Sequence, residues 1–252
     1  MRRKTTVAVI AGLIAVEGMF LKAGFAQENT TYDADFVEKV ERVLLENPEI
    51  ILKVFEVLER HQAEQVAYAD KDLIADVSKE LFAGLDLNRP ILVEFQDYNC
   101  GYCRRIHPTV AQLKRDMPDL QMVLLELPVL GEASVFTAKA ALALKALEGE
   151  DAYEVFANAM MVQGDTADPA SVRRTLASLG FDPEAVITAA EQGIGGEDLD
   201  RAARLARAIG ASGTPFFVGP GGIVRGAGSA DDLKSITSTS APEPERDEAI
   251  LR

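Results

Sequence analysis

The only two cysteines of this 252-residue chain stand three positions apart, as Cys100-Gly-Tyr-Cys103. They follow Ile91-Leu-Val-Glu-Phe-Gln96, an apolar run of strand length, and precede Arg104-Arg-Ile-His-Pro-Thr-Val-Ala-Gln-Leu, which reads as a helix. A fold must therefore carry the pair from a buried strand onto the first turn of a helix. Free N–H groups and the positive dipole end at a helix N-terminus favour thiolate over thiol. An inert bridge is the first alternative, but a ring enclosing two residues restricts the unfolded chain very little. Half of a zinc site is the second, but a structural zinc takes four ligands, and His61 and His107 stand far apart in sequence. The pair is expected to be a redox-active dithiol, with no metal and no bound cofactor.

The first residues point to export. Met1-Arg-Arg-Lys4 is basic, Val7 to Val16 is apolar, and Gly24-Phe-Ala26 offers small residues at a cleavage site. The apolar run is about half of the ~20 residues a membrane span needs. Residues 1–26 are thus expected to be a signal peptide cleaved after Ala26, with an uncleaved anchor as the alternative, since Glu17 closely follows the run. Cleavage leaves 22 Lys and Arg against 39 Asp and Glu, taking the net charge from −14 to −17. Such a charge argues against nucleic acid and anionic membrane surfaces as partners. An exported protein works where disulfides are made, and a bacterial periplasm fits best.

Along the remainder, residues 27–70 form an N-terminal helical segment. Asp33-Ala-Asp-Phe36 opens one helix, and Asn47-Pro48 opens a second, with Asn as cap and Pro at the first helical position. Ile51, Val54, Phe55 and Leu58 make an apolar stripe on it. A polar run from Glu59 to Asp72 then separates this stripe from the main domain. The stripe packs either on its own domain or on copies of this chain; a stripe set apart from the core favours self-association through residues 33–69.

The main domain is placed at residues 71–237: a helix over 73–81, strands at 91–96 and 121–127, and a helical block over about 133–209. Gly149, Gly164, Asp168-Pro169, Asp182-Pro183 and Gly193 should interrupt that block. Gly213 to Val218 and Gly222 to Gly226 read as a hairpin, and a helix starts at Asp231. The order is that of an α/β chain with a thioredoxin fold, a helical insertion at its middle, and an N-terminal helical segment in front. Residues 238–252 have the composition of a disordered tail.

Glu94-Phe-Gln-Asp-Tyr-Asn-Cys-Gly-Tyr-Cys103, the helical insertion and Gly213-Thr-Pro215 together resemble the DsbA-like thiol–disulfide oxidoreductases. Leu45 to Val54 is similar to the N-terminal helices of the suppressor-of-copper-sensitivity C (ScsC) branch, where that segment is implicated in oligomerisation. Gly101-Tyr102 departs from the Pro-His of the DsbA oxidases, and with Thr214 before Pro215 it is similar to the disulfide isomerases. The family pattern implies Cys100 as nucleophile, Cys103 as resolving thiol, and Glu94 as a buried acid that moves the Cys103 proton. A carboxylate lying at a sheet edge in water is the alternative reading of Glu94. The resemblance also implies a cis Pro215 facing the cysteines, with Thr214 offering its backbone to an extended client. Gly101 and Tyr102 would border the same client. His107 is expected to be packed or at the surface, and His61 solvated. Pro108 is expected to bend its helix.

The function expected is exchange of disulfides in protein clients that carry cysteines, leaning towards isomerase or reductase, because Tyr102 cannot offer the cationic help that a histidine would. A membrane redox partner would keep the pair reduced. A DsbA-like dithiol oxidase is the alternative within this chemistry. From another class, two thiolates suit Cu(I) and would make a copper-tolerance protein.

Overall fold

The computed structural model describes residues 33–238. The expected signal peptide and all but the first residue of the expected tail lie outside these residues. The chain divides between Glu56 and Val57 into two compact units.

In the first unit, α1 (Ala34–Glu46) begins at Asp33, whose carboxylate accepts the Asp35 N–H. No residue of α1 is buried, and Val37, Val40, Val43 and Leu45 are exposed. The Asn47 side chain donates to the Val43 carbonyl across 2.8 Å. Asn47 thus closes α1 instead of capping the next helix, and Pro48 precedes the first helical residue, Glu49. Helix α2 runs unbroken over Glu49–Leu81. The polar run from Glu59 to Asp72 lies inside this helix: it contains neither Gly nor Pro and is rich in Glu, Gln and Ala, all good helix formers. The sequence boundary at 70/71 therefore falls within one helix. Ile51, Val54, Phe55 and Leu58 are exposed on α2.

The second unit is built on a four-stranded mixed sheet in the order β2-β1-β3-β4. β1 (Ile91–Gln96) pairs in parallel with β2 (Gln121–Glu126) and antiparallel with β3 (Phe216–Gly219), which pairs antiparallel with β4 (Gly222–Arg225). Every residue of β1 is buried, as the apolar run required of a central strand. Strand alternation sends Ile91, Val93 and Phe95 to one face, where they pack with Ile74, Val77 and Leu81 of α2 and with Leu205 and Ala206. Leu92 and Phe217 face the other side, against Ile106, Val110 and Leu113 of α3 (Gly101–Asp116).

The insertion forms α4 (Glu132–Glu148), α5 (Glu150–Val162), α6 (Pro169–Ser178), α7 (Pro183–Glu191) and α8 (Gly196–Ala208). Its breaks fall where local chemistry put them. Asp168 and Asp182 cap α6 and α7, each with proline at the first helical position, and Gly149 separates α4 from α5 at a φ of 92°. Helix α9 (Ala230–Ser235) follows the hairpin. After it the chain returns to the sheet, where the Ile91 N–H donates to the Thr237 carbonyl and the Gly221 N–H to the Ile236 carbonyl. A Cβ at Gly219 would collide with that Ile236 carbonyl, so the tight β3–β4 turn requires glycine there. No helix among the described residues is long and apolar enough to cross a membrane.

Candidate active site

Strand β1 ends at Gln96, and four residues later Cys100 occupies the N-cap of α3. Its sulfur accepts the Cys103 N–H at 3.4 Å and donates to the Thr214 carbonyl at 3.1 Å. The helix starts at Gly101, so Cys103 lies on its first turn, as the strand-to-helix junction required, and faces inwards. Cys100 retains 5% of its surface and Cys103 none. Burial pushes the Cys103 thiol well up; Cys100 and Glu94 add to this, and hydrogen bonds with the Asp97 backbone and the Thr214 side chain oppose it.

The Thr214–Pro215 peptide is cis. Both residues line a groove with Tyr102, Gly213, Phe216 and Arg225. The Tyr102 ring is 57% exposed and carries the Arg105 guanidinium 4.8 Å above it. Gly101 is open enough to admit a Cβ without a close contact. Five of the seven singled-out residues, Cys100, Tyr102, Cys103, Thr214 and Pro215, are thus joined by direct contact or a shared groove, and Gly101 is covalently between them.

Glu94 is the seventh. It is 4% exposed on the central strand, on the face that α3 covers. It does not lie in water at a sheet edge. Burial, and then the charge of Glu126, raise its pKa from 4.5 to about 8. With His107, Lys114, Met122, Met161 and Asn158 it lines a cavity of about 230 Å³. His107 is half-buried there, and burial lowers its pKa. His61 is exposed on α2. Pro108 lies inside α3, where it has no N–H for the Arg104 carbonyl. Among the described residues no group of three or more His, Cys, Asp and Glu is arranged to hold a metal ion.

The structure adds residues that sequence reasoning passed over. Glu126 ends β2, opposite Gln96, and accepts hydroxyl protons from Tyr98 at 2.6 Å and Tyr153 at 2.7 Å and the Gln96 amide at 3.2 Å. Burial raises its pKa to about 7 against the pull of those three donors. An acid ending an otherwise apolar strand is the same signal that singled out Glu94, and it stood in the sequence unused. Asp97 spans two loops: one oxygen accepts the Asn99 N–H, the other the N–H groups of Val129 and Leu130. Asn99 reaches the insertion, exchanging two hydrogen bonds with the Ala167 backbone and donating to Ser134. Arg104 donates to the carbonyls of Tyr98, Gln163 and Asp165. The cysteine turn is therefore bolted to the helical insertion by side chains on both of its flanks.

A sulfur at a helix N-cap, a buried second thiol one turn on, a buried acid behind them and a backbone carbonyl facing the first sulfur can together exchange disulfides. Comparison with known proteins points the same way. The DSBA-like thioredoxin domain family matches residues 91–237, more than half of the chain. A thioredoxin-like oxidoreductase from Silicibacter pomeroyi is 34% identical over 62% of this chain and 92% of its own, with a TM-score of 0.55. The thiol-disulfide exchange protein alpha-DsbA2 from Wolbachia pipientis is 26% identical over 66% of this chain and 93% of its own, at a TM-score of 0.58. The catalytic domain of Proteus mirabilis ScsC is 25% identical over 66% of this chain and 96% of its own, at a TM-score of 0.54. No match is found among curated proteins.

Proposed function

The chain belongs to the DSBA-like thioredoxin domain family and is a thiol–disulfide oxidoreductase, and we propose that it reshuffles or reduces disulfides of exported protein clients through Cys100 and Cys103. The observation that carries this reading is the asymmetry of the two sulfurs: Cys100 at the N-cap keeps some surface and meets the Thr214 carbonyl, while Cys103 is sealed in.

In the first step the Cys100 thiolate attacks one sulfur of a client disulfide. The client S–S bond breaks, one client thiolate leaves, and a mixed disulfide links Cys100 to the other sulfur. In isomerisation, a client thiolate later attacks that mixed disulfide and restores Cys100 with no net redox change. In reduction, Cys103 gives its proton to ionised Glu94 and attacks Cys100; the reduced client leaves and a Cys100–Cys103 disulfide remains. A membrane-bound electron donor would then supply the two electrons and two protons that regenerate the dithiol. Client backbone would pair with Thr214 in the groove, and Tyr102 would give it an apolar lip.

Two features favour isomerase or reductase over oxidase. Tyr102 brings no cation between the cysteines, and the exposed apolar residues of α1 and α2 suit a second copy of this chain, which would set several sites around one client. Residues 1–26 would direct export to the periplasm.

The test is refolding of scrambled, fully oxidised ribonuclease by the reduced protein. Recovery of ribonuclease activity is expected. Failure to recover it, with fast oxidation of reduced ribonuclease by the oxidised protein, would replace the isomerase reading with an oxidase.

A further inference from the structure

An ion pair far from the cysteines in sequence ends at the groove lined by Tyr102, Thr214 and Pro215. Asp70 of α2 is 4% exposed, and both its oxygens are taken by Arg225, at 2.6 Å and 3.0 Å. This is the two-pronged arrangement that fixes a guanidinium in one plane. A buried carboxylate of this kind is costly to strand, so its partner is held firmly. Arg225 in turn ends β4 directly opposite Phe216, and its guanidinium lies 5.7 Å from the centre of the Phe216 ring. The next residue, Gly226, gives its N–H to the Pro215 carbonyl at 3.0 Å. Phe216 and Pro215 directly follow Thr214, whose carbonyl meets the Cys100 sulfur. A chain of contacts therefore runs from α2 through Arg225 to the segment that faces the nucleophile, and Arg225 itself lines the groove.

We propose that Asp70 and Arg225 form a clamp by which α2 holds the Thr214–Pro215 segment in the position that receives the client. Arg225 is a positioning residue: it acts through Phe216 and Pro215, and Asp70 acts through Arg225. The helix that carries the exposed apolar stripe thereby contributes to client affinity. The inference rests on the reading that a client pairs with Thr214, and it can fail while that reading stands.

The experiment measures steady-state reduction of a fluorescent ten-residue peptide disulfide by the full chain, with excess glutathione as the recycling reductant, for wild type, Asp70→Asn, Arg225→Lys and the double variant. Arg225→Lys keeps the charge and loses the fork. A displaced binding edge is expected to raise KM about tenfold in all three variants. The double variant should be no worse than either single, and kcat should change less than about twofold. A fall in melting temperature with KM unmoved would mean that the pair only pins α2, and would overturn the clamp. A peptide methylated on the amide that faces Thr214 separates the two ideas. If methylation weakens wild-type binding while the variants keep the wild-type KM, the pairing stands and the clamp fails. If methylation has no effect on the wild type, the pairing fails and the clamp falls with it, whatever the variants do.

Discussion

The Cys100 sulfur gives its hydrogen to the Thr214 carbonyl across 3.1 Å, although 114 positions separate the two residues. The donor vanishes when the thiol ionises or enters a mixed disulfide. In the proposed exchange the carbonyl would then be open to a client N–H as the sulfur takes up a client sulfur, which would tie attack and docking to one proton.

Cys103→Ser should trap clients. Without the resolving sulfur, the mixed disulfide on Cys100 waits for an outside thiol, so client adducts should accumulate on non-reducing gels. Cys100→Ser should form none, because Cys103 has no exposed surface. Adducts on Cys103 in the second variant would reverse the assignment of roles.

Glu94→Gln should slow release of the mixed disulfide. In the proposed mechanism an ionised Glu94 accepts the Cys103 proton, and burial keeps Glu94 protonated until pH approaches 8. The resolving rate of the wild type should therefore climb with pH through that value. The variant should lose about a hundredfold at pH 8, the low end for general base catalysis, and lose the climb. Stopped-flow release of a fluorescent client reads both, and an unchanged pH profile would remove Glu94 from the proton route.

The same substitution should change stability in a pH-dependent way. Between 4.5 and about 8 the unfolded chain has released a proton that the folded chain still holds at Glu94. Stability therefore falls as pH rises through this window, and the loss is complete above it. Urea unfolding at pH 5 and pH 9 should show Glu94→Gln gaining on the wild type at the higher pH by on the order of a few kcal/mol. An equal difference at both pH values would contradict a buried, uncompensated carboxyl.

Asn99→Ala should loosen the cysteine turn from the insertion. It deletes two donated bonds and one accepted from Ala167, leaving the Ala167 N–H unpaired while Thr137 still donates to the Ala167 carbonyl. A loss of about 1–3 kcal/mol is expected, a fall in melting temperature of several degrees. Thermal unfolding followed by circular dichroism measures it.

Phe55→Glu with Leu58→Glu should disrupt self-association. Both side chains are exposed on α2 and apolar, so charges there cost a monomer little and a packed interface much. Light scattering after gel filtration should show a larger wild-type species reduced to single chains. A wild type that already runs as a single chain would remove the assembly from the proposed function.

The parts legible in the sequence were those with local causes. The cysteine pair, the apolar β1 run and the breaks at Gly149, Asp168-Pro169 and Asp182-Pro183 each depend on a few neighbouring residues, and each lies where its chemistry put it. Glu94 was legible as an acid out of place in an apolar strand. What escaped was set by contacts between distant segments. Asp70 and Arg225 are 155 positions apart, and each alone reads as an ordinary surface charge. Tyr98 and Tyr153 acquire their meaning only when the fold brings Glu126 between them. The length of α2 is hidden in the sequence because the polar stretch from Glu59 to Asp72 reads as a separator, whereas helix propensity carries straight through it.

The Glu126 pocket also fixes how the protein looks in ultraviolet light. The chain has five tyrosines and no tryptophan, so its emission is tyrosine emission. Two of those five rings give their hydroxyl protons to a single carboxylate, an arrangement that quenches the excited phenol. The folded protein is therefore expected to emit weakly at two of its five tyrosines, and separating the rings from Glu126 should restore their brightness. This gives an unlabelled optical signal from the residues directly behind the cysteines.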